Sequence, residues 1–139
     1  MKVYRLATPA ARIKIFEEYT CAWYRARDQK PDPLPDTCWL VEDEKGPLAV
    51  GGLIRTDSDF ALIDGYAARP DASSEERHKA LGMISLIAIK TAKEQGFSRC
   101  LCMSRVPSIL AHGKIMKARE DFDGYKVVAI HLSDWEFKE

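Results

Sequence analysis

Asp64 stands between Ile63 and Gly65 in the run from Phe60 to Tyr66, which has the residue types of a β-strand. A carboxylate among apolar neighbours is a candidate general base. Burial disfavours its charged form and raises its pKa toward the range where it can take a proton near neutral pH. The alternative is an aspartate facing solvent on an alternating strand, and Gly65 could mark a bulge that re-aims it. The aromatic residues Tyr19, Trp23, Tyr24 and Trp39 could line a pocket, and Glu17, Glu18, Asp32 and Asp36 could draw a cationic amine toward it. Core packing of the rings and solvation of the acids are the plainer uses.

The cysteines, Cys21, Cys38, Cys100 and Cys102, form no CxxC pair, and no histidine stands at zinc-ligand spacing from them. Cys100 and Cys102 would share one face of a strand, but no further ligands accompany them, so no metal is expected. Free thiols suit a reducing, cytoplasmic setting.

These residues need elements to position them. Lys2–Ala7 reads as a first strand. Thr8 caps a helix with Pro9 at its first position. Ile15, Phe16, Tyr19, Ala22, Trp23 and Ala26 recur at three and four, the pattern of a buried stripe. Three prolines between Asp28 and Asp36 end that helix in a semi-rigid loop. Cys38–Val41 and Pro47–Arg55 flank a turn at Glu44-Lys45-Gly46 as an antiparallel hairpin, and Phe60–Ala68 follows as the next strand.

Ser73 and Glu76 form a capping-box signature. The helix they open runs to about Gln95, ends at Gly96, and is apolar nearly all round between Leu81 and Ile89. Ser98–Ser104 is then a strand. With a long helix before it, it should lie parallel to Phe60–Ala68 in a right-handed βαβ unit. Pro107 opens a helix to roughly Arg119, and Gly124–Leu132 is the last strand. The predicted order is β-α-β-β-β-α-β-α-β: one α/β (α+β) domain over residues 1–139, with a mostly antiparallel sheet and a central parallel pair. Ligands bind at the carboxyl ends of such strands. Trp39, Leu62, Ile84, Ala88, Leu101 and Val128 are the expected core.

Lysine plus arginine and aspartate plus glutamate both total 21. This balance argues against nucleic acid and against an anionic membrane surface as partners. The longest apolar run, Leu81–Ile89, is far below membrane-spanning length, and the start Met1-Lys2-Val3-Tyr4-Arg5 lacks a secretion signal's apolar stretch.

The strand followed by Ala68-Arg69-Pro70, the run Arg77-His78-Lys79-Ala80-Leu81-Gly82, the helix ending Ala92-Lys93-Glu94-Gln95-Gly96-Phe97 and the strand Leu48-Ala49-Val50-Gly51-Gly52 together resemble the GNAT superfamily of N-acetyltransferases. Arg77, Ala80 and Gly82 fall on that family's pyrophosphate-loop positions, with alanine for the first glycine. The resemblance implies acetyl-CoA as cofactor. Its pyrophosphate would sit at Arg77, His78, Lys79, Ala80, Leu81 and Gly82, and its pantetheine arm beside Tyr66, Ala67 and Ala68. A helix N-terminus offers N–H donors and a positive dipole end to phosphate, and Arg77, His78 and Lys79 add charge-assisted bonds.

The chain departs from the family in two places. Six residues separate Pro70 from Arg77, and Ser73 with Glu76 would start the helix before the motif, with Glu75 and Glu76 near the phosphate position. Counting from Ser108, the family's proton-donating tyrosine falls at Ile115, which cannot donate. His112, one turn earlier, could stand in as the acid. The resemblance implies an N-acetyltransferase acting on a small-molecule or peptide amine, with Asp64 the candidate base and His112 the candidate acid, and a homodimer or a protein partner possible. The alternative is a GNAT-like domain without catalysis, serving as a phage-particle component or an inhibitor of a host protein.

Overall fold

Thr8 receives the Ala11 N–H on its hydroxyl, and Pro9 takes the first helical position, so the first helix starts where the sequence places it. The computed structural model describes residues 1–103, 118–120 and 127–137. The elements are β1 (Lys2–Arg5), α1 (Pro9–Ile15), a π turn (Phe16–Thr20), α2 (Cys21–Ala26), β2 (Thr37–Asp43), β3 (Gly46–Arg55), β4 (Phe60–Ala68), α3 (Ser74–Glu94), β5 (Arg99–Met103), β6 (Ala118–Glu120) and β7 (Val127–His131).

The strands form one sheet in the order β1-β2-β3-β4-β5-β7-β6. β1 with β2, β2 with β3, β5 with β7 and β6 with β7 are antiparallel. β4 and β5 are parallel, as the long intervening helix requires, in the register Phe60↔Arg99, Ala61↔Cys100, Leu62↔Leu101. β4 continues for six residues beyond Leu62. The mixed, mostly antiparallel sheet with one parallel pair is the fold class expected.

The chain divides into two compact units. The first comprises Met1–Ile54 and Asp64–Ala88. There the strands alternate: Cys38, Leu40, Val50 and Ala67 pack with Leu6, Ile15, Trp23 and Tyr24 as one core cluster beneath α1 and α2. On α3 the buried stripe through this unit is Ala80, Ile84, Ser85 and Ala88. Gly51 makes room there for the Tyr66 ring. A Cβ at Gly51 would come within 2.3 Å of that ring and 3.0 Å of Ile84. The second unit comprises Arg55–Ile63 and residues 89–139. In it Leu101 packs with Phe60 and Leu62, and Asp59 accepts from Ser98 and Arg99.

Three expectations need correction. The stripe on the first helix shifts by one residue after Tyr19: Thr20, Trp23 and Tyr24 are buried, whereas Ala22 and Ala26 are exposed. The π turn is the cause. The Cys21 N–H bonds the Phe16 carbonyl, inserting one extra residue, and Thr20 Oγ1 donates to the same carbonyl at 3.2 Å. Second, α3 is not buried all round; Leu86 and Lys90 are exposed, because the helix covers the sheet with one face only. Third, Ala118 and Arg119 belong to strand β6, paired to Ile130 and Ala129 of β7, and not to a helix. Of the expected core, Trp39, Ile84, Ala88 and Leu101 are buried and Leu62 is half-buried; the side chain of Val128 lies outside the described residues.

Candidate functional site

β4 runs out into a short loop that delivers α3. The Arg69 N–H donates to the Leu48 carbonyl at 2.8 Å, one last tie to β3. The Arg69 guanidinium grips Asp43 through two bonds, Nη1–Oδ1 at 3.1 Å and Nη2–Oδ2 at 2.5 Å, and donates to the Pro47 carbonyl. Its Nε lies 3.0 Å from Asp71 as an ion pair. The Asp43 side-chain bonds to Arg69 hold its carboxyl below the usual carboxylate range, against a smaller opposing effect of burial. The arginine thus fixes the loop's entry to the β2–β3 turn.

The loop's exit is a capping box. Ser73 Oγ accepts the Glu76 N–H at 3.1 Å, and Glu76 Oε2 accepts the Ser73 N–H at 3.4 Å. The Arg77 N–H already bonds the Ser73 carbonyl. Arg77–Gly82 therefore stand inside α3, and the first-turn N–H groups without an intrahelical acceptor are those of Ser74 and Glu75. The Arg77 side chain folds back, donating from Nη1 to the Ala72 carbonyl at 2.7 Å and the Pro70 carbonyl at 3.2 Å. His78 and Lys79 are exposed, Ala80 is fully buried, and Leu81 and Gly82 are half-buried.

Arg27, at the C-terminus of α2, was not singled out by the sequence. Partial burial lowers its pKa, and the charge of Arg77 lowers it further. Among the described residues neither arginine has a carboxylate partner.

The remaining residues fall as follows. Asp64 is exposed on β4, in the alternating pattern with Leu62 and Tyr66, which is the solvent-facing alternative and not the buried one. Gly65 has φ +71°, and a Cβ there would lie 2.7 Å from Pro35 Cδ. Tyr66 is half-buried, and Ala67 and Ala68 are buried. Trp23 and Tyr24 belong to the core cluster, with Tyr19 packed against it. Trp39 is buried, with the Arg5 guanidinium 5.7 Å above its ring. Core packing is therefore what these rings do. Glu17, Glu18, Asp32 and Asp36 are exposed. His112, Ser108 and Ile115 lie outside the described residues. A depression of about 590 Å³ is lined by β1, the β2–β3 turn and Glu76. Its four acids, Glu42, Asp43, Glu44 and Glu76, make it unsuited to a phosphate.

Searches against family models and curated proteins find no match. Solved structures do match. A GNAT-family acetyltransferase from Staphylococcus aureus matches with a TM-score of 0.66 at 14% identity, over 94% of this chain and 99% of that one. The ribosomal-protein-S18-alanine N-acetyltransferase of Escherichia coli matches with a TM-score of 0.64 at 11% identity, over 94% and 93%. This is the GNAT fold. A Mycobacterium tuberculosis protein in complex with CoA matches with a TM-score of 0.63 at 13% identity, over 88% of this chain and 74% of that one. With identities this low, the GNAT fold is what these matches establish. Among the described residues no helix is long and apolar enough to cross a membrane, and no group of acids, histidines and cysteines could hold a metal.

Proposed function

We propose that the chain transfers an acetyl group from acetyl-CoA to a small-molecule or peptide amine. The observation that carries this reading is Arg77 folded back on the loop at the start of α3, with Lys79 exposed on the same helix, within the GNAT fold. Arg77 spends one nitrogen on the loop carbonyls and keeps other donors. Glu76 is turned back to the Ser73 N–H. Lys79, exposed on α3, adds a cation, with His78 beside it in sequence. The pantetheine arm would run beside Tyr66, Ala67 and Ala68.

When bound, acetyl-CoA supplies the acyl group as a thioester. The protein's work is to orient the amine and move two protons. Asp64 would take a proton from the incoming ammonium group, and its exposure leaves it open to a substrate. His112 would return a proton to the departing thiolate, and the second proton that the nitrogen sheds as the amide forms would leave to water. The cytoplasm is the setting that fits such a reaction and the free thiols.

A second reading, a GNAT-like domain that binds without catalysis, such as a phage-particle component or a host-protein inhibitor, draws support from the acidic first turn at Glu75 and from Ile115 at the acid's position. Thermal unfolding with and without acetyl-CoA separates the two. Stabilisation by the cofactor supports the transferase, and none at millimolar acetyl-CoA refutes it.

A further inference from the structure

Two hydroxyl groups hold one strand residue from opposite faces of the sheet. Tyr24, on α2, donates its hydroxyl to the Tyr66 carbonyl at 3.4 Å. The Tyr66 hydroxyl lies 2.9 Å from Ser85 Oγ on α3. Ser85 spends its single proton on the Leu81 carbonyl at 2.8 Å, so Tyr66 is the donor in the shared bond. Residue 66 is thereby tied through its backbone to one helix and through its side chain to another.

The arrangement depends on two local irregularities. Gly65, at φ +71°, kinks β4 just before the held carbonyl, and Pro35 fills the space a side chain would need. A kink of this kind re-aims the next peptide group out of the regular ladder. The π turn supplies the donor. By adding one residue it carries Tyr24, in place of Ala22 or Ala26, onto the buried side of the helix. Burial, with Asp32 and Asp64 adding to it, pushes the Tyr24 hydroxyl up to about 12, so it remains a donor across the neutral range.

We propose that Tyr24 and Ser85 are positioning residues, which fix the Tyr66–Ala68 backbone in the conformation that receives the extended arm of the cofactor. The inference rests on the cofactor reading above. It needs no contact between either side chain and the ligand.

Calorimetric titration of Y24F and S85A with coenzyme A and with 3′,5′-ADP, which lacks the pantetheine arm, tests it. Each variant should bind coenzyme A roughly three- to ten-fold more weakly, the worth of one hydrogen bond, and bind 3′,5′-ADP as the wild type does. Amide hydrogen exchange at Gly65–Ala68 should quicken in both variants without ligand. If the wild type binds neither ligand, the cofactor reading falls and this inference with it. If the wild type binds and both variants bind coenzyme A equally well, only this inference falls. Equal weakening toward both ligands, or unchanged exchange at Gly65–Ala68, also overturns it, since the hydroxyls would then serve general stability. Should Y24F fail to fold, S85A carries the same test.

Discussion

Arg69 and Asp43 meet through two parallel bonds, Nη1–Oδ1 at 3.1 Å and Nη2–Oδ2 at 2.5 Å, with side chains only 15% and 21% exposed. A forked pair at this degree of burial is worth more than a surface ion pair. It fixes where the β4–α3 loop begins, and so where α3 presents its first turn.

The first prediction follows from that pair. D43N should destabilise the fold by about 1–2 kcal/mol at pH 7. The Arg69 bond lowers the folded pKa of Asp43 below its unfolded value of about 3.9. Its stabilisation is therefore complete above that unfolded value and disappears as pH falls through the folded one. Urea unfolding of wild type and D43N should differ at pH 7 and converge toward pH 2.

Replacing Arg77 and Lys79 together with glutamate should abolish the rise in Tm that acetyl-CoA gives the wild type. At 100 times Kd that rise corresponds to about 2.7 kcal/mol. Lys79 is exposed and Arg77 half-buried, so the variant should still fold. Its own Tm should fall slightly as Arg77 lets go of Pro70 and Ala72. Differential scanning fluorimetry reads both effects.

Three glycine-to-alanine changes should rank in a fixed order. G51A should cost the most, about 2–3 kcal/mol by overpacking, because its Cβ would meet the Tyr66 ring at 2.3 Å. G65A should follow at about 1–2 kcal/mol for a strained φ beside Pro35. G96A, with φ +89° but open space around it, should cost about 1 kcal/mol. Equilibrium urea denaturation gives the order.

Thiol reactivity should divide the cysteines in pairs. Burial pushes Cys38 up to about 11 and Cys100 up to about 12, and both are buried, whereas Cys21 and Cys102 are half-buried. Ellman's reagent at pH 8 should modify Cys21 and Cys102 in the native protein. It should reach Cys38 and Cys100 only after denaturant is added.

If Asp64 is the base, D64N should lower kcat/KM for amine acetylation by roughly 100-fold or more at pH 7, with the affinity for coenzyme A unchanged. The deficit should narrow as pH rises toward the acceptor's own pKa, where bulk water removes the proton. A pH–rate profile of both proteins checks this.

Local pattern determined much of this molecule. Thr8-Pro9 and Ser73-x-x-Glu76 are contacts between residues three or fewer apart, so the starts of α1 and α3 could be read directly. Strand alternation and the long helix between β4 and β5 required a parallel pair. The rest depended on partners far apart in the chain. The π turn arises where packing of Trp23 and Tyr24 beneath the sheet wins over the regular 3.6-residue period, so the stripe read from that period slipped by one. Strand β6 exists through pairing with β7, and its three residues carry too little pattern to announce it. Asp64 stayed exposed because apolar neighbours in sequence do not fix what covers a side chain in space. Arg69 on Asp43 and Tyr24 on the Tyr66 carbonyl are tertiary pairings. They join residues 26 and 42 apart, separations at which only the folded chain decides who meets whom.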